Sequence, residues 1–522
     1  MSKEFTPTFI RFAEAIDASL ALAHRPDPDT PVIEVDAAVR AIAGFYEKAR
    51  GTLEYGEVDL LRRRAVARAL RRMLGYGAPV SFDDAATQLL QELIRGGYFP
   101  NEQIPETIAS PTGVILERLF TALPHVPQVY HDELIWFTVF DIEDVIFPER
   151  TAVQQATVAF VIATADERLK WPREVHASPA HRAFLFVAAH KVVLRADNVR
   201  ILHAFLRDAL PEWREASVGT LPELSEAFTR TLAAAKRMVA HPRTEQYARA
   251  LRRLAPAFRA LEDAVVRDAA GTQSALQLER RVEESVAERV KATTKKLKGL
   301  ALRATLYILL TKMVIGLAVE LPLNAWLLGE TMVGPFMINL IFPPTLMFLV
   351  AIAARPPKAS VAERIIEDAM QVVTTEGTLG HARLPRQRGF TRLMIFVFAF
   401  AGFSAFALSF LLRGLSGLDF TFIDTIIFLG FLSVISLFAW RVRQPLRELA
   451  SERPSGVLWL LVEIIVFPFL AVGRFLSDGL RQVNVFLWVL DVIIEAPLKF
   501  LFAAFEDWVA FLREKREEII GE

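Results

Sequence analysis

The chain has 522 residues, 53% of them hydrophobic, and its 60 Lys+Arg balance 60 Asp+Glu to a net charge of zero. That length exceeds one domain of the usual ~100–200 residues, and the lack of a basic excess argues against a nucleic-acid partner. Cysteine is absent, which excludes disulfides, thiolate metal sites, iron–sulfur clusters and cysteine nucleophiles and fits a reducing compartment.

Residues 5–23 carry Arg11, Glu14 and Asp17 within their apolar spacing, whereas a secretory signal has an uninterrupted apolar run. Ile10, Ala13, Ile16 and Leu20 recur at helical intervals and predict a packed amphipathic helix. Pro26, Pro28 and Pro31, then Gly75 to Pro79, then Pro100, Pro105, Pro111, Pro124 and Pro127 cut the following sequence into short helical pieces. Ser81-Phe82-Asp83-Asp84 and Thr220-Leu221-Pro222-Glu223 read as capping boxes. Ser110-Pro111 and Ser178-Pro179 each place a cap before a proline at the first helical position. Residues 152–164 hold enough Val and Thr to read as strand as well as helix, yet no convincing strand alternation appears. The prediction for 1–272 is an all-α cytoplasmic domain.

Three groups of polar residues stand out in it. Arg62, Arg63, Arg64, Arg68, Arg71 and Arg72 lie opposite Leu60, Leu61, Val66, Leu70 and Leu74, an arrangement suited to anionic lipid headgroups or to an ordinary solvated helix face. His125, His131, His176, His181, His190, His203 and His241 lack the i, i+4 pairing around a glutamate of a helical zinc site, and read as scattered surface or core residues. Asp141, Glu143 and Asp144 read as a helix surface. Phosphate-loop, dinucleotide-loop and nucleophile-elbow motifs are all missing. No cofactor, metal or catalytic residue is expected.

From 273 to 299 a narrow stripe of Leu278, Val282, Val286, Val290 and Leu297 runs through dense charge and predicts a long connecting helix. Four apolar stretches follow, about 302–328, 334–354, 390–412 and 420–440, each near the ~20 residues a bilayer core requires. Lys and Arg cluster before the first, between the second and third, and after the fourth, which puts those flanks inside. In the third stretch Ala401, Ala405 and Ser409 form a small-residue face. The tail, 441–522, carries Glu463 in one apolar segment and Asp491, Glu495 and Lys499 in another. It reads either as two interfacial helices or as two further crossings.

The fold expectation is therefore all-α: a cytoplasmic multi-helical domain joined by a long charged helix to a polytopic membrane domain, 300–440, with both termini cytoplasmic at the plasma (inner) membrane. Glu320 and Glu495 each precede a proline by two residues in an apolar helix, where a kink can leave a carboxylate beside freed carbonyls. A membrane-anchored structural or scaffolding protein is the first functional expectation. The second is an ion- or proton-coupled transporter or oligomeric channel using Lys312, Glu320, Asn324, Asn339, Glu463, Asp491 and Glu495. A lipid-acting enzyme comes third, for want of a nucleophile or metal constellation. Expected partners are the bilayer, anionic headgroups, a protein bound by the cytoplasmic domain, and further copies of the chain.

Overall fold

Helix is the local structure throughout. Among the described residues no strand forms, and extended pairing is limited to two isolated bridges, Val32 with Pro105 and Lys170 with His381. The computed structural model describes residues 5–23, 31–35, 58–268, 274–315, 333–353, 359–374, 378–382 and 390–449, together with 322, 326, 469 and 470.

The first helix, α1 (Pro7–Leu20), starts where Thr6 accepts a hydrogen bond from the Phe9 N–H, with Pro7 in the first turn. Its buried stripe is Phe9, Phe12, Ile16 and Ser19 rather than the predicted Ile10, Ala13, Ile16 and Leu20, and Ile10 is 46% exposed. The two phenylalanines decide the rotation, because aromatic rings bury the largest area. Phe12 stacks on Phe160 with centroids 4.5 Å apart.

The chain continues through α2 (Val58–Tyr76), α3 (Phe82–Arg95), α4 (Ala109–Ala122), α5 (His131–Ile146) and α6 (Pro148–Arg168). Then come α7 (Arg173–His176), α8 (His181–Val192), α9 (Asn198–Ala209), α10 (Glu212–Glu215), α11 (Leu221–Ala240), α12 (Pro242–Arg252) and α13 (Ala255–Arg267). The Val- and Thr-rich stretch belongs to α6, where Val153, Val158, Val161 and Thr157 are buried; tertiary burial overrides their β preference. Ser81 caps α3 as predicted, accepting from the Asp84 N–H at 3.2 Å. Thr220 does not cap α11: its hydroxyl donates to the Ser217 carbonyl at 3.0 Å. Ser110 and Pro111 sit inside the first turn of α4, and Ser178 and Pro179 precede α8, whose first N–H, that of His181, bonds the Ser178 carbonyl.

Packing follows the order of the helices. α3 lies on α4, α1 on α6, α8 on α12, and α9 on α11, while α5 touches α2, α4 and α9. The α3–α4 approach needs Gly113, because a Cβ there would sit 2.4 Å from Asp83 Oδ1. One core cluster runs from Ile33 through α2–α5 to Phe228 and Leu232. This unit covers Met1–Leu278, and it also takes in Ala369–Leu384 from much later in the chain. That segment is held by backbone. Leu379 N–H bonds the Arg168 carbonyl at 2.8 Å, Lys170 N–H bonds the Gly380 carbonyl at 3.0 Å, and Ala382 N–H bonds the Lys170 carbonyl at 3.0 Å. Arg168 adds its guanidinium, which donates to the carbonyls of Gln371 and Val372. Thr6 N–H meets the Val373 carbonyl at 2.9 Å.

The second unit covers Glu279–Asp368 and Pro385–Glu495. Its described helices are α14 (Ala275–Ile315), which begins in the first unit, α15 (Val333–Ala353), α16 (Ala359–Thr374), which ends in it, α17 (Phe390–Ser416) and α18 (Phe422–Leu449). The charged stretch predicted at 273–299 is the first part of a 41-residue helix that rises about 60 Å. Leu278, Val282 and Val286 are buried along it, as the stripe implied. α15 packs on α18. Thr421 and Asp424 form a reciprocal capping box at the start of α18: Asp424 N–H donates to Thr421 Oγ1 at 3.1 Å, and Thr421 N–H donates to Asp424 Oδ2 at 3.2 Å.

Among the described residues one helical segment, Val397–Ser416, is long and apolar enough to cross a membrane; Gly334–Leu349 and Phe422–Leu437 are shorter apolar helices. The predicted first crossing is described only as far as Ile315, and the tail beyond 449 lies outside the described residues apart from 469 and 470.

If Arg168 pins the returning segment, Arg168→Ala should raise the rate of tryptic cleavage between Arg364 and Arg392 severalfold in the purified full-length protein. An unchanged rate would assign the docking to the backbone bridge alone.

Candidate functional site

Some of the polar residues singled out in the first unit converge on α5. That helix is buried nearly all round: Leu134, Ile135, Phe137, Val139, Phe140, Ile142 and Ile146 are covered, and so are Asp141, Glu143 and Asp144. The expected acidic helix surface is therefore a buried set of three carboxylates. A helix at the centre of a bundle has no solvent face, so every polar group on it needs a partner inside the protein.

Arginines supply those partners. Arg62 Nε lies 3.0 Å from Glu143 Oε1 and Arg63 Nε lies 2.7 Å from Glu143 Oε2. Arg214 donates from one nitrogen to Asp141 Oδ1 at 2.8 Å and to Asp144 Oδ2 at 2.5 Å. Arg200 reaches Asp144 Oδ1 at 3.4 Å and Gln154 Oε1 at 3.2 Å. The Thr151 hydroxyl donates to Asp144 Oδ1 at 2.6 Å. Arg118 stands 3.9 Å from Asp141 Oδ2 and donates to the Arg214 carbonyl at 2.5 Å. Phe140 is sandwiched in this network, with Arg63 at 5.1 Å and Arg200 at 4.8 Å from its ring centroid.

The six arginines expected at an anionic surface thus divide. Arg62 is buried and Arg63 mostly so, and both are spent on Glu143. Arg68 bonds the Tyr98 hydroxyl at 3.2 Å, Arg71 pairs with Asp132 at 3.0 Å, and Arg72 pairs with Glu92. Arg64 is half-buried, and Arg71 alone of the six is classed as exposed. The hydrophobic periodicity of α2 hid this because guanidiniums that cross an interface to a buried carboxylate look, in sequence, like solvated ones.

Burial sets the protonation of this region. It acts first, and upward, on Asp144, but His203 and the Arg200 and Arg214 guanidiniums outweigh it and hold the carboxyl down to about 2. Burial lowers His203, whose Nε2 lies 3.1 Å from Asp141 Oδ1. It pushes His190 down to about 4. His190 and His203 are core residues, one of the two placements the sequence allowed.

Of the intramembrane candidates, Asn339 is fully buried on α15 and donates from Nδ2 to the backbone carbonyl of Asp424 at 3.2 Å. Lys312 is on α14, its side chain not described. Glu320, Asn324, Glu463, Asp491 and Glu495 lie outside the described residues. Asp424, which the sequence reading passed over, is buried and occupied in capping α18; its signal was the Thr-x-x-Asp spacing.

Among the described residues two groups of side chains could hold a metal. Asp141, Asp144 and His203 are close enough, but Arg200 and Arg214 already occupy the carboxylates, and a cation would face two fixed positive charges. The second group, Asp166, His176 and His181, has one arginine contact, from Arg182 to Asp166 Oδ2 at 3.5 Å.

Glu143→Gln should destabilise the protein by about 3–5 kcal/mol, because it removes the charge that Arg63 faces and leaves the buried Arg62 with Asp59 alone; urea unfolding of the full-length chain measures it. His190 gives a pH test. Its folded pKa is about 4 against an ordinary 6.5, so the unfolded state takes up the proton first and stability falls as pH drops from 6.5 to 4. The full loss is about 3 kcal/mol, and His190→Gln should flatten that limb of the stability curve. No family model, curated protein or solved structure matches the chain, so its own geometry carries the functional argument.

Proposed function

We propose that this chain is a multi-pass inner-membrane protein whose N-terminal helical unit is a cytoplasmic scaffold rather than an enzyme. The observation that carries the reading is the return of Ala369–Leu384 into the N-terminal unit. This segment lies in the chain between two apolar helices, α15 and α17. Because it exchanges backbone hydrogen bonds with residues 168–170, it must share their compartment. An even number of crossings between 279 and 368 satisfies that, and so does the basic character of both flanks.

The apolar helices supply the second support. Phe398 and Phe410 on α17 are both 74% exposed, and side chains of that size at such exposure call for acyl chains or another apolar partner. The 21 residues of α15 rise about 31 Å, close to the hydrocarbon thickness. A scaffold role is favoured by the way the N-terminal unit uses its charge, since its densest cluster is consumed in tying α2, α4, α9 and α10 to α5. Asn339 and Asp424, in the α15–α18 pair, are likewise engaged in structural bonds, which favours the anchor over the transporter. The outward remainder of α2, chiefly Arg71, is the part left to meet anionic headgroups.

Compartment reporters fused at Met1, Glu522 and within the turn at Gly417 test the topology. The reading predicts cytoplasmic signals from both termini and an external signal from Gly417; an external terminus contradicts it. In reconstituted vesicles Glu320→Gln should leave any ion flux unchanged, whereas a pH-dependent wild-type flux that vanishes in this variant would establish the transporter instead.

A further inference from the structure

At the far end of α6 the chain bends sharply through Trp171 and Pro172 and runs through α7 into α8. The bend is fixed by Trp171, whose indole N–H donates to the Ala165 carbonyl at 2.8 Å and whose ring stacks on Tyr247 at 4.9 Å. It gathers Asp166 from the last turn of α6, His176 from the end of α7 and His181 from the start of α8. We propose that these three side chains form a binding site for one divalent transition-metal ion, zinc being the best fit, with its fourth coordination position open to solvent.

The donor atoms converge. His176 Nε2 and His181 Nε2 each lie 3.2 Å from the same carboxylate oxygen, Asp166 Oδ1, and all three atoms fall within 4.8 Å of one another. A tetrahedral ion with bonds of about 2.0–2.1 Å separates its ligand atoms by about 3.3 Å, so both measured edges already match. His181 is 4% exposed, and its Nε2 is enclosed without a hydrogen-bond partner. Its other nitrogen, Nδ1, lies 2.7 Å from the Tyr247 hydroxyl. A proton on Nδ1 donated to that hydroxyl leaves the Nε2 lone pair facing Asp166 and His176. Such an outer-shell hydrogen bond on the remote nitrogen is the usual way a metal-binding histidine is oriented.

The ligand set selects the ion. Two imidazoles and one carboxylate suit zinc and its first-row neighbours, whereas calcium and magnesium require oxygen ligands. Three protein ligands with an open position is the pattern of sites that hold a water or an external group. His176 supplies the opening, since its side chain is 56% exposed while that of Asp166 is 19% exposed. The one opposing charge on the ligand set, Arg182, contacts Asp166 through Oδ2 rather than Oδ1, from a side chain that is 82% exposed. The site does not rest on the membrane reading, because all its residues belong to the N-terminal unit.

The test is a titration of purified, chelator-treated full-length protein with Co²⁺, followed by competition with Zn²⁺. The proposal expects one Co²⁺ per chain, with the intense visible absorption of four-coordinate cobalt, displaced by one equivalent of Zn²⁺. His176→Ala, chosen because that side chain is exposed and its loss spares the core, should weaken binding at least tenfold with unchanged circular dichroism. Asp166→Asn should do the same, and His125→Ala, at a histidine outside the group, should bind as wild type. Binding that is absent from wild type, or equally strong in His176→Ala, or accompanied only by the weak spectrum of six-coordinate cobalt, would overturn the proposal.

Discussion

The N-terminal unit depends on one constraint: beyond its first turn the central helix, α5, is enclosed, yet it carries three carboxylates in four positions there. Asp141, Glu143 and Asp144 cannot reach water, and an unpaired buried charge costs several kcal/mol. The protein resolves this with guanidiniums brought from α2, α4, α9 and α10, stretches up to 152 positions apart in sequence, counted from Arg62 to Arg214. Each arginine fixes the placement of its own helix against α5, since a forked donor bonds a carboxylate in only a few orientations. Apolar replacement of a buried ion pair at similar volume is often as stabilising or more so; what the network adds is a single arrangement of four helices around the fifth.

Much of the helical architecture was legible in the sequence because it rests on local signals. Ser81 announced the start of α3, and Leu278, Val282 and Val286 announced the buried stripe of α14. The failures have a common physical form. Ile10 and Phe9 are both apolar and adjacent, and only the partner, Phe160, decides which faces in. Asp141 and Glu143 looked solvated because a periodicity argument assigns polar residues to water unless it knows that a helix is enclosed. Thr220 had the right spacing for a cap, yet its hydroxyl found the Ser217 carbonyl first. The convergence of His176 and His181 on Asp166 was hidden because the three residues belong to three helices, and no single helical spacing relates them.

The corner at residues 166–182 is where two features of the chain meet. Asp166 is four positions from Lys170, the residue that pairs with the returning segment through His381. The end of α6 therefore serves both as an anchor for Ala369–Leu384 and as one wall of the Asp166–His176–His181 group. Arg168, between them, donates to two carbonyls of the returning segment.

The claim on which the whole account turns is that Ala369–Leu384 belongs to the N-terminal unit in the intact protein. The absence of cysteine from the chain makes a clean test available. Lys170 and His381 are paired in a β-bridge, which places their Cα atoms at a separation a disulfide can span. The double variant Lys170→Cys/His381→Cys, oxidised in the folded full-length protein, should form an intramolecular disulfide rapidly and in high yield, detected by altered mobility without reductant. Failure of that pair to cross-link, under conditions in which the bridge pair Val32→Cys/Pro105→Cys does, would contradict the account.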